Sequence, residues 1–307
     1  MASFRWFASF VLAATMVPTL PAETHCPGNV ASVPLRPVNR YQMIVSVSVN
    51  HSGPYNFLLD TGTQVTMIDT SLAGELHLRT QGSAVVAGAG FRANASFAQD
   101  GLLEVGSNVV ANQKVLVYDL QNLKSVDLSI RGILGEDFLD HFDMLIDNGH
   151  SLLCLDDSAA MRAKVKGQHV DLLAPAQTPA ETGEGALPKS LIVSVRLSDG
   201  MRPVRLKLDS GTNVPFLYKT SEYMALGLFR GASSHGVGAN GPQRSYSALP
   251  PQIVKIGTVE ISHVVFVTLT GANKDSRTSD FDGLLTMGLF RRVFIDHSDH
   301  FAILEPW

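Results

Sequence analysis

Two short acidic motifs offer the most direct chemistry in this chain of 307 residues. Each ends a largely apolar run with an aspartate, then a hydroxyl residue, a glycine and a threonine: Asp60-Thr61-Gly62-Thr63 and Asp209-Ser210-Gly211-Thr212. The aspartates are 209 − 60 = 149 residues apart, about half of the chain. Two carboxyl groups that lie face to face hold one proton between them, because the first charge opposes the second ionisation. Such a pair can activate water for attack on a carbonyl group.

Three pairs of neighbours are expected to support the two carboxylates, and these are Thr61 with Ser210, Gly62 with Gly211, and Thr63 with Thr212. The glycines allow a tight turn that leaves backbone N–H groups close to the carboxylates. The first hydroxyl of each motif is expected to hydrogen-bond across the interface between the two halves. The threonines are expected to donate to the outer carboxylate oxygens. Donation to the charged form lowers a carboxyl pKa, so we predict an acid-leaning pH optimum.

The elements that must position the motifs are repeated along the chain. An alternating strand at residues 41–49 turns back into the Asp60 strand, and a similar strand at residues 191–197 turns back into the Asp209 strand. Both patterns predict a hairpin whose second strand delivers its aspartate to a turn. The halves also end alike, because Asp147 and Asp296 follow apolar strands and are again 296 − 147 = 149 residues apart.

The repeat predicts a mainly β protein of two similar barrel-like lobes, related by a pseudo-twofold axis, with the site in the cleft between them. The hydrophobic content of 45% and charged content of 17% suit a well-buried globular chain. The predicted segments are a signal peptide at 1–22, an N-terminal extension at 23–40, a first lobe at 41–166, a linker at 167–189 and a second lobe at 190–307. A helical pattern at residues 158–166 is expected to close the first lobe.

A glycine-punctuated segment follows each aspartate by roughly 28 residues. The residues concerned are Gly88, Gly90 and Phe91 in the first half and Gly236 and Gly238 in the second. A Gly-x-Gly tip between strand-like flanks is typical of a mobile hairpin, so these segments are candidate flaps that bind substrate. A plain surface turn is the alternative for each of them.

The doubled motif resembles the catalytic signature of the aspartic peptidases, and the resemblance extends over about residues 40–305. The family's apolar-apolar-glycine element is matched by Ile133-Leu134-Gly135. The resemblance implies an acid-protease fold with Asp60 and Asp209 as the catalytic pair, acting without cofactor or metal. The short halves and paired Gly-x-Gly segments are more similar to retroviral-type peptidases fused in tandem than to pepsin. In the second half, Thr286 stands where the family has glycine.

The function implied is that of an aspartic endopeptidase whose substrate is a polypeptide in extended conformation. A non-catalytic peptide- or protein-binding module that retains the fold is the alternative, and a dormant zymogen is a second one. A monomer is expected, since one chain supplies both halves. The net charge of −4 and the lack of a basic run exclude nucleic acid as an expected partner.

Several further features bear on compartment and metal binding. Arg5 and the uncharged stretch at residues 6–20 are typical of a secretory signal, so we predict export to the periplasm or secretion, with no stable membrane span after cleavage. In an exported protein Cys26 and Cys154 could form a disulfide, although two unpaired thiols are the alternative. A final cluster resembles a metal site, but the repeat predicts a solvated turn there: Asp296, His297, Asp299 and His300.

Overall fold

The chain folds as a mainly β protein, as predicted, with about 55% strand and 10% helix. The computed structural model describes residues 25–88, 91–174, 190–198, 202–218, 233–236, 244–269 and 280–307. One barrel-like lobe is a closed barrel of six strands and the other is a curled half-barrel. None of the helices in these described ranges is long and apolar enough to cross a membrane. The predicted signal peptide lies outside them.

The described residues of the first half form eleven strands, which are β1 (Ser32–Pro34), β2 (Arg36–Val38), β3 (Gln42–Val49), β4 (Ser52–Leu59), β5 (Met67–Asp69), β6 (Thr80–Gly88), β7 (Phe91–Val105), β8 (Asn108–Tyr118), β9 (Ile130–Leu134), β10 (Asp143–Asp147) and β11 (Leu152–Asp156). Two short α-helices and two 3-10 helices accompany them: α1 (Thr70–Glu75), α2 (Glu136–Leu139), Pro27–Asn29 and Gln121–Ser125. The predicted hairpin that leads to Asp60 is therefore β3–β4.

The first barrel closes because β7 returns to β3. Its strands follow the order β3-β4-β9-β5-β8-β7, and Ser48 of β3 pairs with Glu104 of β7. Alternate residues of β3 point into the barrel, where Val45, Val47 and Val49 are fully buried. Strand β4 runs between β3 and β9, so its end, and hence Asp60, is fixed from both sides.

The described residues of the second half form strands β12 (Gln168–Asp171), β13 (Ile192–Leu197), β14 (Val204–Asp209), β15 (Phe216–Leu217), β16 (Ser233–Gly236), β17 (Arg244–Ala248), β18 (Gln252–Ile256), β19 (Val259–Val264), β20 (Val267–Leu269), β21 (Gly283–Thr286), β22 (Phe290–Asp296) and β23 (Phe301–Pro306), with a 3-10 helix at Met287–Leu289. The predicted hairpin that leads to Asp209 is β13–β14. Strand β14 lies parallel to β21, as β4 lies parallel to β9.

A six-stranded sheet joins the two lobes, in the order β1-β11-β10-β22-β23-β12. In its centre Met144 pairs with Ile295 and Ile146 pairs with Val293. Val293 and Ile295 follow Met144 and Ile146 by 293 − 144 = 149 and 295 − 146 = 149 residues. The pairing therefore maps onto itself when the halves are exchanged, so a pseudo-twofold axis passes between β10 and β22. We call this sheet the interlobe sheet.

The helix predicted at residues 158–166 needs correction. Residues 158–166 form turns, because Ala159 has a φ of 58° and the Asp156 carboxylate accepts from the N–H groups of Ser158 and Met161. A positive φ at a non-glycine residue interrupts a right-handed helix. The first part of the predicted linker forms β12, which pairs with β23. Residues 175–189 lie outside the described residues.

Cys26 and Cys154 are joined by a disulfide, with 5.8 Å between their Cα atoms. Both side chains are buried, and the bond ties the segment before β1 to β11. Ser32 of β1 also pairs with Cys154, so β1 of the N-terminal extension is built into the interlobe sheet, whereas β2 pairs with β3 of the first barrel.

Candidate active site

The first aspartate loop, residues 60–63, is held by backbone and side-chain donors. The Asp60 N–H donates to the Leu134 carbonyl at 3.0 Å, which fixes the loop to β9. Asp60 Oδ1 accepts from the N–H groups of Gly62 at 2.8 Å and Thr63 at 3.2 Å. Asp60 Oδ2 accepts from the Thr63 hydroxyl at 2.7 Å. Donors directed at both oxygens suit an ionised carboxylate.

The second aspartate loop, residues 209–212, repeats only part of this arrangement. Asp209 Oδ1 accepts from the N–H groups of Gly211 at 2.8 Å and Thr212 at 3.1 Å. The Thr212 hydroxyl, however, donates to the Val214 carbonyl at 2.9 Å. A hydroxyl has one proton to donate, so the predicted bond from Thr212 to the outer oxygen of Asp209 is wrong. The two aspartates therefore stand in chemically different surroundings.

The hydroxyl groups of Thr61 and Ser210 cross between the lobes. The Ser210 hydroxyl accepts from the Thr61 N–H at 3.1 Å, and the Thr61 hydroxyl accepts from the Ser210 N–H at 3.1 Å. The Thr61 hydroxyl donates to the Leu208 carbonyl at 3.1 Å, and the Ser210 hydroxyl donates to the Leu59 carbonyl at 2.9 Å. Both residues are buried, so all four bonds lie away from water. This is the brace expected from the sequence, and it fixes the relative position of the two aspartate loops.

The two glycines allow the carboxyl groups to approach each other. A Cβ atom on Gly62 would lie closer than 3.0 Å to the carboxyl group of Asp209, and one on Gly211 would lie equally close to that of Asp60. Neither glycine lies in the left-handed region of φ. Lack of space, and not the tight turn predicted from the sequence, is therefore what requires glycine here. Each carboxyl group is packed against the opposite loop.

Burial and mutual repulsion act together on this pair of carboxyl groups. Asp60 is 9% exposed and Asp209 is 6% exposed. Burial and then the charge of Asp60 raise the pKa of Asp209, the charge of Lys207 opposes both effects, and the net result is a pKa of about 8. These effects favour a proton retained on the Asp209 side of the pair, and the titration belongs to the two carboxyl groups together.

Gly135 follows the apolar pair Ile133-Leu134, and Thr286 follows the apolar pair Leu284-Leu285. These two residues support the aspartate loops in different ways. In the first lobe, Gly135 packs against the backbone of residues 63–66, and the Glu136 N–H donates to the Thr63 carbonyl at 2.9 Å. In the second lobe, Thr286 extends β21, pairs with Asp209 and is fully buried. Its hydroxyl accepts from the Gly288 N–H at 3.4 Å and begins the 3-10 helix. Thr286 therefore caps the 3-10 helix of the second lobe, at the position that Gly135 has before α2 in the first lobe.

Both candidate flap segments lie in hairpins. Gly88 at the end of β6 pairs with Phe91 at the start of β7, and Gly236 at the end of β16 pairs with Arg244 at the start of β17. Gly90 and Gly238 lie outside the described residues. The structure thus places hairpins at both predicted positions, and their role in binding substrate stays a prediction.

Two polar residues next to the site were missed by the sequence analysis. Lys207 Nζ donates to the Gly62 carbonyl at 2.8 Å, and Gln42 Nε2 donates to the Gly211 carbonyl. Each side chain thus reaches the aspartate loop of the opposite lobe. A charged residue within the otherwise apolar run before Asp209 was the available signal for Lys207. Nothing in the alternating pattern of β3 distinguished Gln42.

The predicted solvated turn at residues 296–300 is wrong in part. Asp296 is fully buried and paired with Arg162. His297 has a side chain only 8% exposed, with Nε2 3.2 Å from Glu136 Oε2 and Nδ1 2.7 Å from the Phe142 carbonyl. These residues thus form ion pairs inside the protein. Among the residues that the structure describes, no group of three or more His, Cys, Asp or Glu side chains could hold a metal ion.

Comparison with known proteins bears on the first lobe. A family model described as aspartyl protease matches residues 45–138, the stretch from β3 to α2 that contains the first aspartate loop. The match supports an aspartic peptidase family for the chain and confirms, at that level, the resemblance seen in the doubled motif. A search of the curated proteins finds no significant match.

Proposed function

We propose that this chain, whose residues 45–138 match an aspartyl protease family, is an endopeptidase that uses Asp60 and Asp209 to hydrolyse peptide bonds. The observation that carries the proposal is the packing of each carboxyl group against the glycine of the opposite loop. Two buried carboxyl groups held so close share one proton, which is the state that water activation requires.

The surroundings of the two aspartates support a division of labour in the resting pair. Asp60, with donors to both oxygens, is the ionised member that takes a proton from the attacking water. Asp209 is the protonated member that donates to the carbonyl oxygen of the substrate. The tetrahedral intermediate collapses when Asp60, now protonated, donates its proton to the nitrogen of the leaving amine and Asp209 takes a proton back from a hydroxyl group of the intermediate. The C–N bond breaks, the pair again holds one proton, and no covalent intermediate or cofactor is needed.

The proposal includes the setting in which the enzyme acts. Export to the periplasm or secretion is supported by the disulfide, since such bonds persist in oxidising compartments. The two hairpins, β6–β7 and β16–β17, would bind an extended polypeptide through their backbone groups. A monomer suffices for this activity, because one chain supplies both aspartates.

A non-catalytic peptide-binding module is the second candidate. The observation that favours it is the incomplete second loop, in which the Thr212 hydroxyl is directed at Val214 and Thr286 replaces glycine. Such a module would bind extended peptides in the same cleft and release them uncleaved.

Incubation of the purified protein with a mixed peptide library in H₂¹⁸O decides between these functions. We expect new carboxyl termini that carry one ¹⁸O atom after a single cleavage, because water attacks the carbonyl group directly. The Asp60→Asn/Asp209→Asn double variant, purified in parallel, controls for contaminating peptidases. Peptides that bind to the folded wild type and remain intact from pH 3 to pH 9 would overturn the endopeptidase and favour the binding module.

The pH dependence of cleavage is expected to differ from the acid-leaning optimum predicted from the sequence. Because burial keeps Asp209 protonated, the pair retains its shared proton until the pH rises through about 8. Activity should therefore persist through neutral pH and fall as the second proton is lost. A profile of kcat/KM from pH 3 to pH 10 measures this. Loss of activity between pH 5 and pH 6 would contradict it.

A further inference from the structure

Lys207 is a buried cation on the strand that delivers Asp209. It lies two residues before the aspartate, on the same face of β14, and is only 4% exposed. The corresponding residue of the first lobe lies 149 positions earlier (207 − 149 = 58) and is Leu58. It is 1% exposed and belongs to an apolar cluster. The pseudo-twofold arrangement therefore has a charge on one side only.

The position of its Nζ atom brings this charge next to the aspartate pair. Nζ donates to the Gly62 carbonyl at 2.8 Å, and Gly62 packs directly against the Asp209 carboxyl group. The bond also crosses from the second lobe to the first aspartate loop. Lys207 thus contacts the opposite loop while its charge acts on Asp209, whose pKa it lowers against the effects of burial and of Asp60.

The strands beside Lys207, and the matching donor of the first lobe, show what its charge contributes. The neighbouring strands place Ile192 and Leu284 beside it, so β13 and β21 add no charge at these positions. The matching carbonyl, that of Gly211, accepts from Gln42, which is neutral. A neutral donor therefore suffices to satisfy such a carbonyl group. Burying an ammonium group is costly unless an anion lies close, and the aspartate pair with one proton is such an anion.

We propose that Lys207 is a positioning residue whose ammonium group balances the single negative charge of the aspartate pair and holds the first aspartate loop in place. The proposal rests on the proposed peptidase function for its catalytic meaning. The ammonium group of Lys207 keeps the aspartate pair in the state that holds one proton and one negative charge, and that negative charge lies in the cleft. Without the cation, the fully protonated and inactive pair would persist to higher pH.

The Lys207→Gln variant separates charge from hydrogen bonding, because glutamine can still donate to the Gly62 carbonyl as Gln42 does to Gly211. We expect the alkaline limb of the kcat/KM profile to move up by about one pH unit. The Asp209 carboxyl signal in ¹³C NMR, assigned with Asp209→Asn, should move equally. Lys255→Gln is the matched control, since Lys255 is half-exposed and paired with Glu260 at 2.8 Å. It should move neither.

The outcomes separate this proposal from the proposed function. If the wild type cleaves no peptide, the peptidase fails, and the NMR titration alone decides the role of Lys207. An unchanged Asp209 titration in folded Lys207→Gln would overturn the proposal. Should that variant not fold, Lys207→Arg, which retains the charge, is expected to fold and to titrate like the wild type. If neither folds, the residue is structural and the proposal is overturned.

Discussion

Asp60→Asn and Asp209→Asn are each expected to lower kcat/KM by about 10³-fold or more, because each removes a group that transfers a proton in the reaction. Asparagine can still accept at Oδ1 from the backbone N–H groups of Gly62 or Gly211, so both loops should keep their conformation. Steady-state kinetics on a peptide cleaved by the wild type measures the loss. A single variant that retains a tenth of the wild-type activity would contradict the shared role.

The Asp209→Asn variant should also be more stable than the wild type at neutral pH, whereas a misfolded variant would be less stable. The folded-state pKa of Asp209 is raised, so the folded protein binds a proton that the unfolded chain has already lost above about pH 4. Wild-type stability therefore falls as the pH rises from about 4 towards about 8. The amide group of the Asp209→Asn variant does not titrate, so the variant does not lose stability in this way. We expect the Tm of the variant to exceed that of the wild type increasingly over this range. A lower Tm at pH 7 than the wild type would contradict the assignment of the buried proton to Asp209.

The repeat of 149 residues made much of this fold predictable. Each half has a hairpin that ends in an aspartate and a later strand that ends at Asp147 or Asp296. Because these elements recur at the same spacing, they predict that the two halves fold alike. The hydroxyl brace was predicted from this repeat, and the interlobe sheet, which was not predicted, has the same period of 149 residues. The family match over residues 45–138 adds support for the first lobe.

The differences between the two lobes could not be predicted in this way. The Thr212 hydroxyl donates to the Val214 carbonyl, and this choice of acceptor depends on the local path of the chain. Lys207 and His297 look like exposed residues by type, yet each is buried against a partner supplied by the other half of the chain. A repeat predicts what the halves share, whereas contacts between the halves are set by tertiary packing.

The largest structural effect is expected from Gly62→Ala and Gly211→Ala. In each case one methyl group would enter the space now occupied by the opposite carboxyl group, closer than 3.0 Å to its atoms. The hydroxyl brace prevents the loops from moving apart freely, so the carboxyl group must rotate away or the brace must break. We expect a loss of at least about 10²-fold in kcat/KM, since a misplacement of about 1 Å has that effect. Overpacking should also lower the free energy of unfolding by about 1–3 kcal/mol.

Gly74→Ala is the matched control for these substitutions. Gly74 lies within α1, and a Cβ atom there would meet nothing within 4 Å. Alanine favours a helix over glycine by about 0.5–1 kcal/mol, so this variant should be slightly more stable and fully active. Denaturant unfolding and peptide kinetics on all three variants test the contrast. If Gly211→Ala kept both the activity and the stability of the wild type, the two carboxyl groups could not be packed against the loops as described. The shared proton, and with it the proposed chemistry, would then lose its structural basis.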